Sequence, residues 1–303
     1  MLYDTIVSRE VIEKGWSGDR KYRVVSQRGE TYLLRVTDAQ RAEHFCRCFT
    51  QMKKVAALGI PMCLPIELGE CEEGIYALQS WIPGYDAEEF IPTLPQPQQY
   101  AYGLDAGRIL RKLHTLPAPP DAPDWEVRFN AKIDRKIAMY ENCPLKYEKG
   151  DAFLAYIAEN RHLLKNRPQS YQHGDYHIGN MMVDQKGNLT IIDFDRDDFG
   201  DPWEEFNRIV WCAQAAPAFA SGMVDGYFDG EVPMDFWRLL ALYISSNTLS
   251  SLPWAIPFGE GETQVMQNQA KQVLAWYDGM KNVVPTWYQD TVWSETYGYR
   301  NLW

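Results

Sequence analysis

The sequence has no apolar run near the ~18 residues needed to cross a bilayer. Its first residues, MLYDTIVSREVIEK, carry charges where a secretory signal needs an apolar centre. No C-x-x-C pair occurs. Cys46, Cys48, Cys63, Cys71, Cys143 and Cys212 are scattered, and Cys46 and Cys48 would point apart on a helix. This removes the usual zinc and disulfide frameworks and leaves reduced thiols in a soluble cytoplasmic protein as the expectation. A basic excess is missing too: 30 Lys and Arg face 41 Asp and Glu, a net charge of −11. That balance argues against a nucleic-acid partner, whose surface must be basic. It suits a cationic small molecule drawn to an acidic cleft. There is no repeat and no low-complexity segment. With 46% hydrophobic and 23% charged residues, the composition is that of an ordinary globular chain long enough for two lobes.

What is present falls into two halves. The first eighty residues are strand-rich. Residues 22–26 and 31–36 read as β-runs joined by a turn at Gln27-Arg28-Gly29-Glu30. Asp38 is placed to cap a helix that Gly59 and Pro61 end. Stretches 63–70 and 74–82 predict two more strands. Pro83-Gly84 and the prolines within 91–97 mark a boundary. Beyond it the pattern turns helical: Leu104, Ile109, Leu110 and Leu113 lie close to one stripe, and 128–141, 149–166, 202–216, 234–251 and 262–281 read as further helices. The exception is 181–195, two strands around Lys186-Gly187-Asn188. The expected architecture is α+β, with a small β-rich N-terminal lobe (1–80), a connector (81–97) and a larger helical lobe (98–303).

The chemistry concentrates in HGDYHIGN at 173–180 and IIDFD at 191–195. An aspartate between Ile192 and Phe194 costs free energy when it leaves water unless a partner offsets that cost, and a metal ion would. His173-Gly174-Asp175, four residues and then Asn180 fit the His-x-Asp-x4-Asn pattern of a phosphoryl-transfer loop. Asp193 follows Asp175 by eighteen residues, across the 181–195 hairpin. Phosphoryl transfer asks little covalent work of a protein; it needs positioning and charge neutralisation. An aspartate orients the attacking hydroxyl and takes its proton, while an amide and a carboxylate oxygen suit Mg²⁺, a hard cation. His173 is expected to brace the loop, and His177 reads as a loop histidine with a structural role.

The stretch QHGDYHIGNMMVD…IIDFDRDDFGDP resembles the aminoglycoside phosphotransferases and their relatives, the choline, homoserine and other small-molecule kinases. The resemblance spans roughly residues 10–250 and is most specific over 171–206. It implies a protein-kinase-like bilobal fold, a catalytic loop at 171–180 and a metal-binding strand at 189–195. It makes Asp175 the catalytic base and Asn180 and Asp193 the magnesium ligands. It also places ATP under KGWSGDRKY, where Gly15, Ser17 and Gly18 would approach phosphate. Arg35 of YLLRV then stands where such folds usually carry a lysine on the third strand. Glu43, near the start of the following helix, is the one acid in 39–58 available to pair with it. Ser80 and Ile82 of the connector QSWIPG would meet adenine through backbone groups, so GTP is not distinguished from ATP. Asp201-Pro202 is expected to support the loop from a helix start.

On the acceptor side, the sequence from Asp197 to Glu262 is rich in acids, and aromatics run from Trp203 to Trp303. Carboxylates bind ammonium groups and aromatic faces hold rings or cations. The first expectation is therefore Mg²⁺-dependent transfer of the ATP γ-phosphate to a hydroxyl of a cationic, aminoglycoside-type antibiotic, with a place in resistance. A metabolic kinase for choline, ethanolamine, homoserine or a sugar is the second. A nucleotide-binding pseudokinase module is a third, of another class. A protein kinase fits less well, because only five residues separate IDFD from DPWEEF and no A-P-E motif follows. The oligomeric state is not legible.

Overall fold

A computed structural model describes residues 1–13 and 18–288. Gly15 and Ser17 of the expected phosphate loop lie outside the described residues, as does Trp303. The elements, in chain order, are β1 (Ile6–Ile12), β2 (Arg20–Ser26), β3 (Thr31–Thr37), α1 (Ala42–Ala56), β4 (Pro65–Cys71), β5 (Gly74–Ser80), β6 (Gly84–Asp86), α2 (Ala87–Phe90), α3 (Gln96–Leu113), α4 (Trp125–Glu141), α5 (Asp151–Asn160), β7 (Ser170–Gln172), β8 (Met181–Asp184), β9 (Leu189–Ile191), β10 (Asp198–Gly200), α6 (Ile209–Ala215), α7 (Pro217–Phe228), α8 (Met234–Ala255) and α9 (Glu260–Trp276). The fold is α+β, with an antiparallel sheet in the N-terminal part and helices in the C-terminal part.

Two compact units form. The first holds residues 1–90, 173–175 and 179–197; the second holds 91–172, 176–178 and 198–303. In the first, five antiparallel strands run in the order β1-β2-β3-β5-β4. Alternation along the strands sends Val24, Leu34, Val36, Tyr76 and Leu78 to one buried face. Phe45 and Phe49 of α1 cover Ala77 on the other. Asp38 accepts the N–H groups of Gln40 and Arg41 at 3.0 and 3.2 Å, so it caps a short 3₁₀ turn that leads into α1. A smaller sheet, β6-β8-β9, completes the unit. The strand β6 went unpredicted, because Pro83-Gly84 reads as a break. In fact Gly84 lets its backbone lie against Val183, whose carbonyl a Cβ there would meet at 2.1 Å.

The second unit is helical. The helix α7 went unpredicted, since AFASGMVDGYF is buried nearly all round and shows no polar face. Its Gly222 and Gly226 pack against Gly103 and Gly107 of α3, where added Cβ atoms would strike the facing backbone at 2.1–2.2 Å. Asp201 sits fully buried. Arg167 donates to it at 2.6 and 2.9 Å, the Tyr243 hydroxyl at 2.6 Å and the Trp203 N–H at 3.0 Å. The expected structural support from Asp201 is thus a buried network that reaches beyond a helix cap. Among the described residues no helix is long and apolar enough to cross a membrane, and the six cysteines are free thiols.

Candidate active site

Every sequence-predicted site residue that the structure describes belongs to the first unit. The strands β8 and β9 pair through Met181↔Ile191, and the ladder continues one step further, where the Ile192 N–H donates to the Asn180 carbonyl at 3.0 Å. Asp193 follows directly in the chain, at the open end of the hairpin. Asp193 adopts φ +65°, the left-handed region that costs a non-glycine residue about 1 kcal/mol. Such a backbone persists where the surroundings dictate it.

His173 is wholly buried and ties the two segments together. Its Nε2 donates to the Ile192 carbonyl at 2.9 Å, and its Nδ1 accepts the Asp175 N–H at 3.3 Å. This is the bracing role the sequence suggested. Gly174 between them has φ +82°, and a Cβ there would lie 1.9 Å from the Arg196 carbonyl oxygen. The Asn180 amide nitrogen donates to the Asp175 carbonyl at 2.9 Å. Arg196 Nη1 stands 3.5 Å from Asp175 Oδ2.

Arg35 lies in the middle of β3 with its side chain 4% exposed. It meets three acids: Asp19 at 2.7 Å, Asp193 at 2.8 Å and Asp195 at 2.8 Å. It is no solvent-facing edge residue. Burial would lower its pKa, but Asp193, Asp195 and Asp19 outweigh that and raise it. Burial likewise pushes the Asp193 carboxyl up, and Arg35 first, then Lys21, hold it below the ordinary carboxylate range.

The acid that partners Arg35, left open by the sequence, is not Glu43. Glu43 is exposed, with no ion pair to Arg35. In its place stands Asp19, whose other oxygen takes Arg41 at 2.7 Å. The helix α1 contributes differently: His44 Nε2 donates to the Asp195 carbonyl at 2.9 Å, and the Cys48 thiol donates to Asp197 at 2.8 Å. Burial raises the Cys48 thiol, with Asp197 adding to it, and burial raises Cys63 to about 12. Neither is poised as a thiolate. Sequence reasoning missed Asp19, Lys21 and His44. The position of Asp19 directly after Gly18 was the one available signal.

Gly18 itself is described and sits just ahead of β2. Ser80 closes β5, where its N–H donates to the Leu64 carbonyl at 2.9 Å and its hydroxyl accepts the Leu64 N–H at 2.8 Å. The Ser80 N–H is thus committed to the sheet. No carbonyl among the described residues takes the half-buried Ile82 N–H. In the second unit, the acids expected to face a cation are largely paired internally. Arg128 holds Asp198, Lys132 holds Glu204, Arg111 holds Asp229 and Arg238 holds Asp235. The hydroxyls of Tyr100 and Tyr288 donate to Asp225 at 2.6 and 2.7 Å. Tyr227, Trp237, Tyr243 and Tyr277 are buried core residues, whereas Trp254 and Phe258 form an exposed pair with centroids 4.8 Å apart.

Among the described residues no three His, Cys, Asp or Glu side chains are grouped to hold a metal by themselves. Asn180 and Asp193 offer two hard oxygen donors. That set fits Mg²⁺, which takes one or two protein oxygens and completes its shell with phosphates and water.

The fold recurs among solved structures. The aminoglycoside phosphotransferase APH(4)-Ia superposes with a TM-score of 0.63 at 17% identity, over 89% of this chain and 93% of that one. A choline/ethanolamine kinase family protein from Mesorhizobium loti gives 0.64 at 16%, over 90% and 91%. The amicoumacin kinase hAmiN, solved with AMP-PNP, Ca²⁺ and Ami, gives 0.63 at 14%, over 95% and 93%. No curated protein sequence matches the chain. At this level of identity the structures speak for the fold, which is protein-kinase-like. A family model described as the phosphotransferase enzyme family, APH, matches residues 8–237, and the chain belongs to that family of enzymes, which transfer phosphate to a hydroxyl group.

Proposed function

We propose that the protein transfers the γ-phosphate of ATP to a hydroxyl of a small molecule, with Asp175 as base and Asn180 and Asp193 holding Mg²⁺. The observation that best supports this reading is the backbone bond from the Ile192 N–H to the Asn180 carbonyl, which ties the segment ahead of Asp193 to Asn180, with Arg35 on the Asp193 carboxylate at 2.8 Å. When bound, Mg²⁺ neutralises phosphate charge and orients the γ-phosphoryl group. The Asp175 carboxylate accepts the proton of the acceptor hydroxyl as that oxygen bonds to the γ-phosphorus. The bond from phosphorus to the β–γ bridging oxygen breaks, and ADP leaves with that electron pair. Arg35 grips the α- and β-phosphates with a guanidinium that Asp19 and Asp195 keep aimed, the positioning that falls to a helix glutamate in related folds. Gly15, Ser17 and Gly18 line the phosphates, and Ser80 C=O and Ile82 N–H face the adenine edge, an arrangement that would also accept GTP.

In this reading residues 1–80 act as the nucleotide lobe, 81–97 as connector and 98–303 as acceptor lobe. The acceptor is cationic and of aminoglycoside type, as the −11 net charge supports. APH(4)-Ia has been solved with hygromycin B and a nucleotide, and we extend that substrate class to this cytoplasmic enzyme and to antibiotic resistance. A choline-type or sugar acceptor is the second reading, favoured by the internal pairing of the acids from Asp198 to Asp235. A coupled assay of ADP release across aminoglycosides, choline, ethanolamine, homoserine and sugars decides among them. Turnover with none of these, in a protein shown to bind nucleotide, would leave only the pseudokinase module.

A further inference from the structure

We infer that Lys21 is a second cation for the nucleotide phosphates, held by Asp193 until a metal ion takes that carboxylate. The inference rests on the proposed phosphotransferase reading. In the β2–β3 ladder Lys21 lies directly opposite Arg35, so both side chains leave the same face of the sheet with Cβ atoms about 5 Å apart. Like charges in that position repel, and the site answers with carboxylates. Lys21, Arg35 and Arg41 bring three positive charges; Asp19, Asp193 and Asp195 bring three negative ones. The cluster is neutral as it stands.

The distribution within it is uneven. Asp19 spends both oxygens on arginines, and Asp195 gives one to Arg35. Among the described residues Lys21 has one carboxylate partner, Asp193 Oδ2, at 3.3 Å. That is the longest ion pair of the cluster, beside 2.8 Å for Arg35 on Oδ1. A divalent cation on Asp193 must displace a contact, and the looser ammonium yields first. Lys21 is only 13% exposed, so the freed ammonium cannot simply turn to bulk water, and a buried cation needs an anion. It remains beside Arg35, three residues past Gly18, where a triphosphate supplies that anion. Asp193 therefore has two partners in succession, Lys21 in the nucleotide-free protein and the metal in the loaded one.

The test compares the parent with Lys21→Met in two binding assays that need no turnover. Mn²⁺ alone, followed by electron paramagnetic resonance, should bind the variant severalfold more tightly, since Asp193 has lost its competitor. Mg²⁺ with AMP-PNP, followed by calorimetry, should bind about tenfold more weakly, while adenosine binds as to the parent. A structural role for Lys21 would move metal and nucleotide affinity in the same direction, or weaken adenosine too, and either result overturns the inference. Lys21→Arg should restore AMP-PNP binding. If the Met variant folds poorly, Lys21→Gln carries the same expectations. Unchanged AMP-PNP affinity in the variant removes Lys21 alone; a parent that binds neither Mn²⁺ nor AMP-PNP removes the phosphotransferase reading with it.

Discussion

Replacing Asp19 by alanine tests whether this loop aspartate does the work of the missing helix glutamate. Asp19 is 1% exposed in its side chain and bonds Arg35, itself 4% exposed, at 2.7 Å. Losing a hydrogen bond between charged groups costs about 1.5–3 kcal/mol. Stranding a buried charge outright costs about 3–5 kcal/mol, but Arg35 keeps Asp193 and Asp195, so the lower range applies. Arg41, 37% exposed, adds under about 1 kcal/mol. The sum is about 2–4 kcal/mol, or about 4–8 °C in Tm at roughly 2 °C per kcal/mol for a chain of this size. Thermal unfolding followed by circular dichroism measures it, and high salt should change it little because the pair is buried. A double-mutant cycle with Arg35→Met should return a coupling above about 1 kcal/mol. A loss below about 0.5 kcal/mol, with no coupling, would refute the assignment of Asp19 as the acid that positions Arg35.

Asp175→Ala should lower kcat by about 10²–10⁴ while calorimetry finds AMP-PNP affinity unchanged, because the proposed base acts on the acceptor hydroxyl. Gly174→Ala should abolish turnover and lower the Tm, since it adds both a left-handed φ penalty and a clash with the Arg196 carbonyl; a fully active variant would refute the tight approach. The Asp193 carboxyl is held below its unfolded pKa of about 3.9, so its ion pairs contribute stability that is complete above that pH and is lost as pH falls through the folded value. A melting series should therefore be flat with respect to this group from pH 7 to 5 and fall below about pH 4, less steeply in Asp193→Asn. For a polycationic acceptor, kcat/KM at saturating Mg·ATP should drop steeply as salt rises, for choline less, and for a sugar hardly at all.

The proposed catalytic loop and metal-binding strand were legible in the sequence because their residues lie close together and the hairpin between them is local. From His173 to Asp193, every bracing contact spans twenty residues or fewer. Asp38, Gly59 and Gly187 also spoke for themselves, since caps and turns depend on neighbours in the chain. The helix α7 did not, because a helix buried nearly all round has no polar face to betray its period. The charge cluster around Arg35 was out of reach for a different reason. Its ion pairs join residues 16 to 172 positions apart, and its membership turns on one residue of register. A four-residue turn at 27–30 would set Tyr22 opposite Arg35. Instead Ser26 pairs with Glu30 around a three-residue loop whose Gly29 takes φ +79°, and Lys21 stands there. Local motifs name the candidate side chains, since His173, Asp175, Asn180 and Asp193 lie within one short stretch of chain. Tertiary structure alone decided which charges neutralise them, because that choice depends on sheet register and on contacts between segments far apart in the chain.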